Sequence, residues 1–299
     1  MLSADLKTEF DALLPVGRST EQGATRRTAL QAAAGLGYAA AAGSAPAQTA
    51  IHTPADGLAS GWVHYEVAGF QVPAYRSAPA GRTGLPVVLV VQEIFGVHEY
   101  IADVTRRFAQ QGYLAIAPQL YARQGDASRY TDNAKLFSEL VSKVPDAQVL
   151  ADLDGALAWA AGNGGDTKRA AITGFCWGGR IVWLYAAQGP VKAGVAWYGR
   201  LVGEATQNTP SQPVDVAAQL QAPVLGLYGA ADSGIPLDTI AKIKTVLATG
   251  TPAARESQFV VYDGAPHAFH ADYRPSYRKQ AAEDGWKRAL QWFRQPGVA

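Results

Sequence analysis

Thiols are nearly absent from this sequence. Its 299 residues include one cysteine, Cys176, and one methionine. A lone thiol cannot close an internal disulfide or supply a multi-thiolate metal site, so a disulfide-stapled scaffold and a zinc finger are both excluded. Charge of one sign is missing as well. The 26 Lys+Arg against 25 Asp+Glu leave a net charge of +1, without the basic excess expected of a nucleic-acid or anionic-membrane partner. What is abundant is core material. Hydrophobic residues make up 48% and charged residues 17%, enough to bury a full globular interior and contrary to the composition of disordered chains.

The first 50 or so residues differ from the rest. Arg26-Arg27 precede a weakly apolar run, Ala29 to Ala42, which is followed by Ala45-Pro46-Ala47. A charged region, an apolar run and a small-residue A-x-A site are the anatomy of an export signal. The paired arginines resemble a twin-arginine signal, which exports folded proteins. The expectation is cleavage after Ala47, delivery to the periplasm through the export machinery, and a flexible Ala-rich extension as the bland alternative. The run is too short and too poor in Leu, Ile and Phe for a membrane span of about 20 apolar residues.

From residue 60 to 299 no repeat or low-complexity linker intervenes. Trp62–Val67 and Phe70–Tyr75 flank Gly69 and predict an antiparallel hairpin. Unbroken apolar runs follow at 86–91, 114–117, 170–174, 193–197, 224–228 and 259–262, the habit of strands buried on both faces of a parallel sheet. Helical patterns occupy 99–111, 147–161, 177–188, 236–249 and 276–293. The alternation predicts a single α/β domain with a mostly parallel sheet and helices on both faces. The stretch from Tyr121 to Pro145 reads as a polar excursion with one short helix, at a strand end where α/β proteins bind ligands. A solvated surface helix is the competing reading.

Gly174-Phe175-Cys176-Trp177-Gly178-Gly179 stands where a strand ends and a helix begins. This is the G-x-S-x-G nucleophile elbow with Cys in place of Ser. The flanking glycines let strand and helix pass close to a strained turn. The turn lifts the sulfur above the sheet and places it at a helix N-terminus, where the partial positive charge favours thiolate. A free cysteine is ordinarily a small buried hydrophobe; the strand–turn–helix setting is what makes Cys176 a nucleophile candidate.

The elbow fold orders its triad as nucleophile, acid, histidine. Asp232 lies 56 residues after Cys176 and His267 35 residues after Asp232, each one strand–helix unit further, which brings both to the same sheet edge. His267 would take the thiol proton and Asp232 would orient the imidazole. Of the five histidines, His52, His64 and His98 precede the elbow and fail the ordering. His270 is the competitor of His267, and Asp263 and Asp238 are the alternatives to Asp232. His267 and His270 lack an HExxH-type carboxylate motif, so no metal is expected, and no cofactor is called for.

Glu93, in Gln92-Glu93-Ile94-Phe95-Gly96, ends an apolar strand; by itself it reads as first-turn charge before a helix. Together, QEIFG, LYAR (Leu120 to Arg123), GFCWGG and GAPHAFH resemble the dienelactone hydrolase (carboxymethylenebutenolidase) family, over roughly Gly61 to Phe293. The resemblance implies an α/β-hydrolase fold and a Cys176–His267–Asp232 triad. It also implies that Glu93 holds the resting thiol neutral and helps activate it, and that the backbone N–H groups of Ile94 and Trp177 form the oxyanion hole. The implied reaction opens an enol lactone through an acyl-enzyme, with a small lactone or activated ester as substrate. Phe95, Tyr121, Arg123, Arg129, Tyr198 and His270 are the substrate-binding candidates. One departure stands out: the family's carboxylate-binding arginine, four residues after the catalytic histidine, is Ala271 here. A non-enzymatic ligand-binding protein on the same scaffold is the alternative function. A redox cysteine would lack a resolving partner.

Overall fold

The computed structural model describes residues 50–294 and 297–298. The expected signal, with its arginine pair and Ala47, lies outside the described residues. Eight strands form one sheet in the order β1-β2-β4-β3-β5-β6-β7-β8. β1 (Leu58–Val67) and β2 (Phe70–Pro79) make the antiparallel hairpin. Its two-residue turn, Ala68-Gly69, has both residues at positive φ, 50° and 78°, the twist that matches a hairpin. β2 pairs antiparallel with β4 (Leu114–Pro118), and every later pairing is parallel: β3 (Leu85–Val91), β5 (Gly165–Phe175), β6 (Ala193–Trp197), β7 (Val224–Gly229) and β8 (Gln258–Tyr262).

Among the described residues five helices of ten residues or more flank the sheet, the last of them following β8: α1 (Glu99–Gln110), α2 (Asp146–Gly162), α3 (Trp177–Ala186), α4 (Leu237–Ala248) and α5 (Lys279–Phe293). The apolar runs of the inner strands fulfil their reading, whereas the run at 259–262 forms the edge strand β8, only partly buried and with Val261 exposed. Val87 to Val91 are fully buried, as expected of central strands covered on both faces. Because β3 and β5 to β8 run the same way, all their carboxyl ends meet at one edge of the sheet.

Two irregular segments rise at that edge. The excursion after β4 is a succession of short turns rather than one helix: Ala127–Arg129, Asn133–Lys135, a π turn at Leu136–Leu140, and Val141–Lys143. Asp126 and Asp132 break it into pieces, because their carboxylates cap Ser128 N–H and Lys135 N–H and restart the chain each time. The second segment, residues 198–212 after β6, was not singled out from the sequence. The two are stitched together. Asp146 N–H donates to the Asn208 carbonyl at 2.8 Å, and Asn208 Nδ2 donates to the Ser142 carbonyl at 2.9 Å. Beneath them Arg180, on α3, makes two 2.7 Å bonds to the Asp146 carboxylate and also donates to Gln212 Oε1 and the Ser211 carbonyl.

Candidate active site

Crowding builds the elbow. A Cβ on Gly174 would lie 2.3 Å from the Gly178 carbonyl oxygen, and one on Gly178 would lie 2.5 Å from that of Gln92. Side chains cannot occupy those positions, so strand β5 and helix α3 approach to backbone contact. Cys176 sits between them at φ 55°, ψ −118°, a conformation that non-glycine residues hold only when the surroundings impose it. Its N–H is tied to the Trp197 carbonyl at 3.0 Å. Trp177 then opens α3, and the N–H groups of a first helical turn have no partner within the helix.

Asp232 follows β7 and His267 follows β8. His267 Nδ1–H donates to Asp232 Oδ2 at 2.7 Å, with both side chains buried. Burial alone would depress the histidine's pKa. The Asp232 charge, with hydrogen bonding to Asp232 and to Cys176, outweighs it and holds His267 well above the ordinary range. Its Nε2 bonds to no N or O group, and the ring is coupled to the Cys176 thiol.

Glu93 lies two residues beyond β3 and is fully enclosed. Tyr273 donates to its Oε2 at 2.7 Å, His98 Nε2 stands 3.4 Å from the same oxygen, and the Arg274 charge acts on it. Burial opposes its charge, yet His98, Arg274 and Tyr273 prevail and keep the carboxyl below its usual pKa. His98, which the ordering rule sets aside as a base, therefore belongs to the site as a partner of Glu93. The two lie five residues apart on the loop that follows β3. Gly96, at φ 77°, turns the loop over Gln119, whose Oε1 accepts Val97 N–H at 2.9 Å.

The substrate-binding candidates divide. Tyr121 is buried with its ring edge-on to Trp177 at 5.0 Å. Tyr198 is buried beside His267, ring centroids 5.2 Å apart. Phe95 lies under the Arg274 guanidinium, 5.5 Å from its centroid. Arg123 is engaged elsewhere, with Asp152 at 2.5 Å, the Val67 carbonyl and the Phe70 ring. Arg129 is on the surface against Asp126. His270 is a core residue, 2.5 Å from the Tyr100 hydroxyl and packed on Trp197; burial and the nearby Arg107 charge hold it well below the ordinary histidine pKa, hence neutral. It faces a cavity of about 290 Å³ with Arg107 and Trp286.

A separate cavity of about 310 Å³ adjoins the elbow through Trp177 and runs between the two irregular segments, lined by Phe137, Val141, Arg180, Arg200 and Gln212. The Tyr121–Pro145 excursion, read from the sequence as lying where α/β proteins bind ligands, supplies Phe137 and Val141; the wall with Arg200 comes from the segment after β6, which has no regular periodicity. Among the described residues, no group of three or more His, Cys, Asp or Glu side chains could hold a metal ion, and no helix is long and apolar enough to cross a membrane.

Comparison with known proteins shows the family and the fold. Residues 72–297 match the dienelactone hydrolase family. A protein of Methylorubrum extorquens named "Putative carboxymethylenebutenolidase" is 56% identical over 294 residues, covering 98% of this chain and all of that one. A protein of the same name from Escherichia coli K12 is 53% identical over 263 residues, 87% of this chain and 96% of its own. A crystal structure of a "Putative Dienelactone Hydrolase" from Klebsiella pneumoniae superposes with a TM-score of 0.77 at 57% identity, covering 80% of this chain and 99% of that chain.

Proposed function

The chain belongs to the dienelactone hydrolase family of lactone and ester hydrolases, and from that premise we propose that it opens a small lactone or enol lactone, or cleaves an activated ester, through a Cys176–His267–Asp232 triad and an acyl-enzyme. The buried 2.7 Å Asp232–His267 bond, with His267 coupled to an elbow cysteine, is the observation that carries the reading. His267 takes the thiol proton, and Asp232 fixes the tautomer and supports the imidazolium. The thiolate attacks the carbonyl carbon. The N–H groups of Ile94 and Trp177 receive the developing oxyanion, donors of a kind whose individual loss costs about 10²–10³ in rate. The enolate or alkoxide departs, and water hydrolyses the thioester.

Glu93 has a distinct part in this reading. A carboxylate kept ionised in the same enclosed space disfavours a second negative charge on Cys176, so it holds the resting thiol neutral. Iodoacetamide should then modify wild type slowly and Glu93→Gln faster; equal rates would remove Glu93 from this role. The triad itself is tested on a panel of lactones and aryl esters. Cys176→Ala is expected to abolish turnover with an unchanged circular-dichroism spectrum, and wild type should accumulate an acyl adduct on Cys176 in quenched-flow mass spectrometry. Undiminished turnover by the alanine variant would reject the triad.

The N-terminal segment completes the proposal. Arg26-Arg27, the Ala-rich run and Ala45-Pro46-Ala47 support export by the twin-arginine route with cleavage after Ala47. The mature mass of periplasmic protein would decide it, and a chain still starting at Met1 would overturn it.

A further inference from the structure

Trp177 follows the elbow cysteine directly and lines the cavity of about 310 Å³, so this space lies within one residue of Cys176. Its apolar surface comes from Trp177, Phe137 and Val141. The polar side chains around them brace one another. The Thr206 and Thr209 hydroxyls are 2.7 Å apart, and Gln212 accepts Arg180 Nε–H at 2.9 Å while its Nε2 donates to the Glu204 carbonyl at 3.1 Å. Charge is committed in the same way. Arg180 is neutralised by both oxygens of the Asp146 carboxylate. Arg200 lies against Gly203, where an added Cβ would be 3.4 Å from its Nη1; it is itself engaged, and Glu204 lines the same wall. Arg123 is held by Asp152 at 2.5 Å, Arg129 is on the surface beside Asp126, and the Arg274 charge acts on Glu93. Ala271 stands where the family's carboxylate-binding arginine is expected. A substrate carboxylate entering here would shed water without gaining an uncommitted cation, which disfavours it.

We infer that this cavity is the specificity pocket of the enzyme and takes an uncharged aryl group carried by the lactone or ester. The inference deepens the hydrolase reading above and rests on it. An apolar cavity of about 150 Å³ holds one benzene, so about 310 Å³ accommodates a substituted ring. Trp177 and Phe137 supply aromatic surface, and paired rings gain more than their buried area alone provides. The walls are in place before substrate binds, because Asn208 ties the second irregular segment to the first and Arg180 fastens both from beneath. Discrimination then comes from two sources. A substrate without a ring leaves the apolar wall wet, and a substrate with a ring carboxylate brings a charge that every nearby arginine is already too occupied to meet.

The test compares kcat/KM for trifluoroethyl esters, whose leaving group carries no ring, of acetic acid, phenylacetic acid and its para-carbamoyl and para-carboxy derivatives. Phenylacetyl should exceed acetyl by at least about tenfold. The carbamoyl ester should exceed the carboxylate of the same shape by at least about tenfold, which isolates charge from size. Equal values in either comparison, or a preference for the carboxylate, would overturn the inference. Phe137 is half-buried on an irregular turn, so its replacement spares the core. Phe137→Ala should lower the phenylacetyl-to-acetyl ratio about fivefold, and Phe137→Arg, which adds an uncommitted cation, should raise the carboxylate-to-carbamoyl ratio about tenfold. Ratios unmoved in both variants would place the ring elsewhere and likewise overturn it. Turnover in the wrong order keeps the hydrolase and removes only the pocket, whereas failure of these esters together with the lactone panel removes the hydrolase reading and the inference with it.

Discussion

Replacing Arg180 with leucine removes the guanidinium that takes both oxygens of the Asp146 carboxylate at 2.7 Å. Both residues are only 5% exposed, so the orphaned carboxylate stays buried in a site built for an ion pair. Breaking such a pair from one side typically costs about 3–5 kcal/mol. For a domain of this size, that corresponds to a fall in Tm of about 6–20 °C. The same guanidinium donates to Gln212 at 2.9 Å and to the Ser211 carbonyl at 2.7 Å. Arg180 and Gln212 line the cavity beside Trp177, so KM should rise while iodoacetamide modification of Cys176 is little changed. Urea or thermal unfolding measures the stability, and a cycle with Asp146→Leu separates pairing from packing. The double variant should cost about 2 kcal/mol less than the sum of the singles, because no charge is left unpaired. A loss below about 1 kcal/mol for Arg180→Leu, the range of exposed ion pairs, would refute the reasoning.

Three further outcomes are expected. Asp232→Asn should lower kcat by about 10³–10⁴, since the imidazolium loses its carboxylate and the tautomer its guide, and the His267 inflection in the kcat/KM pH profile should move to lower pH; an unmoved inflection would count against the assignment. His270 is held neutral below its ordinary pKa, so the unfolded chain binds its proton first: stability should fall as pH drops below about 6.5, and denaturation midpoints of His270→Gln should show a shallower fall over that window. Gly178→Ala, whose Cβ would lie 2.5 Å from the Gln92 carbonyl oxygen, should yield little soluble protein, whereas Gly162→Ala, with nothing within 4 Å at the end of α2, should be neutral or gain up to about 1 kcal/mol; comparable yields and midpoints for the two would contradict the crowding argument.

Much of this molecule is legible from one-dimensional pattern. Strands such as Leu85–Val91 are continuous apolar runs because both faces are covered, and that burial writes itself into composition. The elbow is legible because only glycine fits where β5 and α3 touch, so the close approach leaves Gly174, Gly178 and Gly179 as its record. The order of Cys176, Asp232 and His267 follows from successive strands of a parallel sheet, though the first step spans two strands, β6 and β7, rather than the one expected; the 2.7 Å bond between the last two joins residues 35 apart. What depends on long-range side-chain packing leaves no such trace. Nothing local relates Glu93 to Tyr273, Arg180 to Asp146, or His270 to Tyr100; these partners are set by which faces the helices present once the sheet has formed. Arg123 is the converse. Its motif suggested substrate, and the fold spends its charge on Asp152 instead, because a buried carboxylate needs a cation more than an exposed loop does. The sequence by itself determined the sheet, the elbow and the order of the triad, since backbone sterics and strand burial act locally. The tertiary structure alone decided which distant buried polar groups are paired, since those partners meet only when the helices pack on the finished sheet.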